Sequence, residues 1–147
     1  MKTPYFVLTP EGHASPLNVV GTQVTVLASN AETQSFGITL QRGDEGTGPP
    51  PHRHDWDESF YVLEGQIEFL CEGQGHTCLP GTLVHVTRGT LHGFQYGPGG
   101  GRMLEITGQD ALAAQMFTAV HNEIAPGSPD IPKLLAVLER NGVTVPM

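Results

Sequence analysis

Short apolar runs with period-two alternation fill the first two-thirds of the chain, and Gly, Pro, Asn or Asp separates most of them. They predict strands over Tyr5–Leu8, Gln23–Leu27, Phe36–Gln41, Phe60–Leu63, Gln66–Cys71, Leu83–Val86, Leu91–Tyr96 and Arg102–Thr107. Strands this short and this closely spaced predict a sandwich or a closed barrel. From Thr107 the period becomes helical. Thr107 and Asp110 have the spacing of a capping box, and Leu112, Met116, Phe117 and Val120 line one face of the helix that would follow. After the loop Ala125-Pro126-Gly127-Ser128-Pro129, Asp130 is placed to cap a second helix with the stripe Ile131, Leu134, Leu135 and Leu138, which Asn141-Gly142 ends. Neither helix can bury its stripe alone, so both are expected to cover a face or an open end of the β-unit.

Composition narrows this to one domain. A chain of 147 residues, 38% of them hydrophobic, can bury one core and not two. With 19 Gly and 12 Pro and no fixed period, turns rather than a fibrous repeat are implied. The expected layout is a single domain over 1–147, with a barrel over about 5–107 and a helical segment over about 108–142. The net charge is −8 and the seven Lys and Arg are scattered, so no basic stripe exists for a phosphate backbone or an anionic membrane. No apolar run reaches the length of a membrane span, and the N-terminus lacks a signal-peptide pattern, so a cytoplasmic location is expected. Cys71 and Cys78 flank Gly73-Gln74-Gly75, and a hairpin closing on Gln74-Gly75 would set them opposite each other. That leaves a disulfide or two free thiols open.

The chemistry is concentrated in GTGPPPHRHDWDESFYVLEG, Gly46 to Gly65. His52 and His54 are two apart, so on extended chain both imidazoles point to one side, and Glu58 follows on the face it shares with Phe60 and Val62. Two neutral imidazoles and a carboxylate suit a first-row divalent ion. A second segment, GTLVHVTRGTLHGFQY, Gly81 to Tyr96, adds His92 with Phe94 and Tyr96 on its side.

Together these segments resemble the paired signature motifs of the cupin superfamily. The first motif is Gly, five residues, His-x-His, three or four residues, Glu, six residues, Gly, met here by Gly46, His52, His54, Glu58 and Gly65. The second is Gly, five residues, Pro-x-Gly, two residues, His, three residues, Asn. Gly81, Gly89 and His92 match it, while Thr87 stands for the proline and Tyr96 for the asparagine. The resemblance implies an all-β double-stranded β-helix, the jelly-roll barrel, with two short C-terminal helices appended. It also implies one divalent transition metal ion per chain (Fe, Mn, Ni, Co, Cu or Zn), held by His52, His54, Glu58 and His92. Phe60, Phe94 and Tyr96 are expected to wall a substrate pocket beside it.

Other residues have plainer readings. Tyr96 either donates to a substrate oxygen or fills the barrel. Trp56 is expected to pack on its neighbours or form a rim, and Asp57 to face solvent. His85 is expected to be a core or interface histidine rather than a fifth ligand, and His13, His76 and His121 to be exposed. Register decides whether Arg42 or Glu105 faces the cavity. The segment PPPHRHDWDESFYVLEG, followed by RMLEITG and an amphipathic helix, is similar to quercetin 2,3-dioxygenase-like cupins. That similarity implies a dioxygenase acting on a small enolic or phenolic compound, with Glu58 both ligand and proton acceptor. A metal-dependent isomerase, cyclase or lyase without redox change is the alternative, and a non-catalytic ligand-binding cupin is the third reading. A homodimer is expected, with Tyr5–Leu8 as the docked or exchanged edge.

Overall fold

The computed structural model describes residues 4–146. In chain order it contains strands β1 (Leu17–Val19) and β2 (Thr22–Ala28), helix α1 (Asn30–Thr33), and strands β3 (Gly37–Gly43), β4 (Arg53–His54), β5 (Glu58–Cys71), β6 (Gln74–Cys78), β7 (Leu83–Val86) and β8 (His92–Thr107). Helices α2 (Ala113–Glu123) and α3 (Ile131–Arg140) and strand β9 (Val143–Thr144) follow. The large sheet is antiparallel, in the order β1-β2-β3-β8-β5-β6, with β7 also paired to β5, and it forms a jelly-roll barrel. A two-stranded sheet joins β4 to β9.

Two long, bent strands organise the barrel. Pattern reading divides β5 at Gly65 and β8 at Gly97–Gly101, yet both run through these points, and Gly65 pairs with Gly101. The ladder slips between Val62 and Glu64 and again between Gly65 and Ile67. Gly65 has φ +76, and a Cβ there would run into the Gly100 carbonyl, so only glycine lets the strand bend without breaking. Beyond the bend β5 turns over to β6 at Glu72-Gly73, both left-handed with φ 49 and 82. This tight turn pairs Cys71 with Gln74 and Cys78 with Ile67, so the cysteines are not cross-strand partners as the Gln74-Gly75 turn would have made them. Both are free thiols.

Strand alternation sends Phe60, Val62, Ile67, Phe69, Phe94, Tyr96 and Met103 into the barrel core. A second cluster joins Val24 and Trp56 to Ala113, Phe117 and Val143, where the helical tail closes one end of the barrel. The helical stripes are displaced from those read in the sequence. Thr107 is the last residue of β8, laddered to Gly37 and Glu58, so it is not a cap, and α2 starts after Leu112 without a side-chain cap. Asp130 does cap α3, accepting from the Lys133 amide at 3.2 Å, but Val137 rather than the exposed Ile131 is its buried residue.

Tyr5–Leu8 is not a strand. It is unpaired, and Tyr5 and Val7 are almost fully exposed. The run is apolar at every position and lacks the alternation of a half-buried strand, so propensity alone suggested pairing. No helix among the described residues is long and apolar enough to cross a membrane.

Candidate metal centre

Each of the four candidate ligands stands at a strand end or where two segments bridge. His54 ends β4, Glu58 opens β5 and His92 opens β8. His52 is tied to His92 by reciprocal backbone hydrogen bonds of 2.8 and 3.0 Å. The four side chains converge so that one ligand atom from each lies within 4.8 Å of the others.

What orients the imidazoles is the backbone. His52 Nδ1 donates to the Pro50 carbonyl at 2.8 Å, His54 Nδ1 to that of Trp56 at 3.1 Å, and His92 Nδ1 to that of Thr90 at 2.8 Å. A carbonyl only accepts, so each Nδ1 carries its proton and each Nε2 is left as the inward atom. The Nε2 atoms of His54 and His92 then lie 3.0 and 2.6 Å from one oxygen, Glu58 Oε1. Lone pairs cannot face a carboxylate at that range without a cation between them, either a proton or a metal ion. The donor set, three Nε2 atoms and a carboxylate oxygen with every Nδ1 already engaged, suits a divalent transition ion.

The electrostatics follow the same geometry. Burial, reinforced by the neighbouring His92, pulls His52 down to about 4, so it is neutral at physiological pH. Burial alone would raise Glu58, but hydrogen bonds from His54 and His92 outweigh it and hold the carboxyl below the usual carboxylate range. Burial would lower His92, but the Glu58 hydrogen bond and charge prevail and push it above the ordinary histidine value.

A cavity of about 130 Å³ opens beside the ligands. His52, His54, Glu58, Phe60 and Phe94 line it from the barrel, Met116 and Phe117 from α2, and Leu134 and Leu138 from α3. Tyr96 does not reach this wall. It is buried behind Phe94, edge-on at 5.7 Å, four residues along β8 from His92. Trp56 packs on its neighbours as expected: it is 3% exposed, lines the cavity and stacks on His54 at 4.1 Å with 6° between planes. Glu105 faces the cavity and Arg42 faces out. His85 lies on the exposed face with its Nδ1 2.7 Å from Ser59 Oγ, so it is not a core residue. Asp57 turns away and accepts from the Arg88 amide at 2.8 Å. His13, His76 and His121 are exposed. Gln41, to which no sequence motif points, also lines the cavity. Sequence alternation carries no signal for it, since apolar Ile38 and Leu40 take the other face of β3 while Gly37, Thr39, Gln41 and Gly43 are the buried set.

Residues 39–107 match the family described as the cupin domain. Over those residues the chain carries a cupin domain. Among curated proteins, this cupin is 30% identical over 74 residues to quercetin 2,3-dioxygenase of Bacillus subtilis (strain 168), a match covering 50% of this chain and 22% of that protein. Among solved structures, KdgF from Halomonas sp. superposes with a TM-score of 0.65 at 22% identity, over 73% of this chain and 94% of that one. The polyketide cyclase RemF from Streptomyces resistomycificus superposes with a TM-score of 0.62 at 23% identity, over 72% and 80%. At these identities the two structures show a shared fold.

A metal ion must displace the proton at His92, whose affinity for protons is raised, whereas His52 is neutral already. Zinc affinity should therefore rise with pH through neutrality, by up to about tenfold per pH unit for each proton released. The single Trp56, stacked on His54, supplies the fluorescence readout, and a pH-independent affinity would contradict the proton competition.

Proposed function

We propose that this cupin is a metal-dependent dioxygenase acting on a small enolic or phenolic compound, with one divalent transition ion per chain. The observation that carries the metal reading is the set of three backbone-clamped imidazoles whose Nε2 atoms converge with Glu58 at the end of an apolar cavity. The local similarity to a quercetin 2,3-dioxygenase supports the reaction class. A bound ion would supply Lewis-acid activation and an open position for an oxygen ligand.

The chain's own residues do the rest. Phe60 and Phe94 flank the cavity and favour a flat, apolar substrate body. At about 130 Å³ the space suits a single ring, comparable to a protein cavity of roughly 150 Å³ that admits benzene. Helices α2 and α3 lie over the cavity and limit water at the ligands. Glu58, held as a carboxylate, takes the proton of the substrate hydroxyl. A second reading, an isomerase, cyclase or lyase without redox change, is favoured by Glu105, which brings a second carboxyl against Glu58 and so offers an acid–base pair.

Oxygen consumption by metallated protein with a panel of enols, diketones and phenols separates these readings. Uptake of O₂ matched to substrate loss is expected, and substrate conversion without uptake would favour the second reading. With an active substrate, Glu58→Gln should lower metal affinity about 10–100-fold. At saturating metal, turnover should fall by a further 10²–10⁴-fold or so. Full turnover by metallated Glu58→Gln would remove the base role.

We further propose a homodimer. Outward-facing Leu40, Leu104, Tyr61 and Leu83 form one in-register row across β3, β8, β5 and β7, and Leu83 is 62% exposed. Ile38 and Ile106 extend the row, and the exposed Tyr5–Leu8 segment offers further apolar surface. Light scattering at micromolar concentration should give a dimer for the wild type and a monomer for Leu83→Asp. A monomeric wild type would refute the proposal.

A further inference from the structure

Away from the metal ligands the cavity wall is mostly apolar, with Thr22, Gln41 and Glu105 as its polar residues. Glu105 of β8 is only 4% exposed, and among the described residues no Lys or Arg lines the cavity to balance it. Its strand partner Thr39 donates from Oγ1 to Glu105 Oε1 at 3.0 Å, and Gln41 Nε2 donates to Thr39 Oγ1 at 3.2 Å. Three polar residues on the inner faces of two paired strands thus form a chain that ends at a carboxyl lining the same cavity as Glu58. For the fold alone this is a poor use of the position, because a buried carboxyl without a cation costs stability that an apolar side chain of similar size would not. Thr39 and Gln41 fix the carboxyl's direction, and both Gln41 and Glu105 line the cavity. Glu105 lies on the strand adjoining β5, opposite Phe60 and so two residue pairs along from Glu58, the next position on the same inner face.

We propose that Glu105, steered by Thr39 and Gln41, is a specificity-determining subsite that binds a hydroxyl group of a compact ligand whose neighbouring oxygen lies at the His52–His54–Glu58–His92 centre. The ligand class is a single ring or short enol with two oxygens on adjacent carbons. This rests on the metal-centre reading only for the placement of the first oxygen. A wall that grips one end of the ligand by hydrogen bonds and its body by Phe60 and Phe94 sets orientation, not merely affinity.

The test is isothermal titration of zinc-loaded protein under nitrogen with catechol and with phenol, the zinc content of each sample being measured. Wild type should prefer catechol by about tenfold or more, the worth of one hydrogen bond to a charged or strongly polar group. Glu105→Leu, which keeps the wall filled, should bring the ratio to within about threefold, Thr39→Val should give an intermediate ratio, and Glu105→Gln should restore most of the preference. A ratio unchanged in Glu105→Leu, the result if catechol merely chelates the ion, would overturn the subsite, as would a wild-type ratio near one. Absence of zinc from the wild type would instead sink the metal reading. The same titrations on metal-free protein then decide the subsite, with a preference lost in Glu105→Leu supporting it and equal ratios rejecting it.

Discussion

A carboxylate buried among three imidazoles is the constraint on which this structure turns. Glu58 is 3% exposed and His92 1%, so neither can rely on water to offset its charge. Their separation of 2.6 Å is tolerable only if positive charge lies between them. The backbone decides where that charge sits, because each Nδ1 is already committed to a carbonyl two residues away. With the tautomers set, three Nε2 atoms and one carboxylate oxygen make a convergent, electron-rich nest.

The fold is arranged to hold that nest steady. Long strands β5 and β8 begin at two of the ligands, and both continue through glycine bends into the barrel core. His54 is fixed twice more, by pairing with Val143 of β9 and by the Trp56 ring against its face. The helical tail joins the same cluster through Phe117 and Trp56, so the cover over the cavity and the support of a ligand are one piece of packing. Loosening the tail would therefore disturb His54 as well as admit water.

Much of this was legible in the sequence because ligands and bends are local. His52 and His54 share a side by strand alternation, and the spacing from Gly46 to Gly65 requires no knowledge of the fold. The segmentation at Gly65 and Gly97–Gly101 was misleading, since glycine marks a strand break and a strand bend with equal force. Thr107 looked like a cap because nothing in its neighbourhood announces the ladder to Gly37 that claims it. Gln41 and Glu105 were out of reach for the same reason: whether a strand residue faces inward depends on register against strands about 60 residues away. Tyr96 shows the converse, since alternation put it on the side of His92 and Phe94, while its distance along β8 leaves it behind Phe94 and off the cavity wall.

The central claim is that all three imidazoles meet one cation through Nε2 while Nδ1 stays protonated. The direct test is nitrogen NMR of cadmium-substituted, ¹⁵N-histidine-labelled protein, in which one-bond coupling identifies every ligating ring nitrogen. The account predicts coupling to the Nε2 atoms of His52, His54 and His92 and a bound proton on each Nδ1. Coupling through any Nδ1, or to fewer than these three rings, would contradict it.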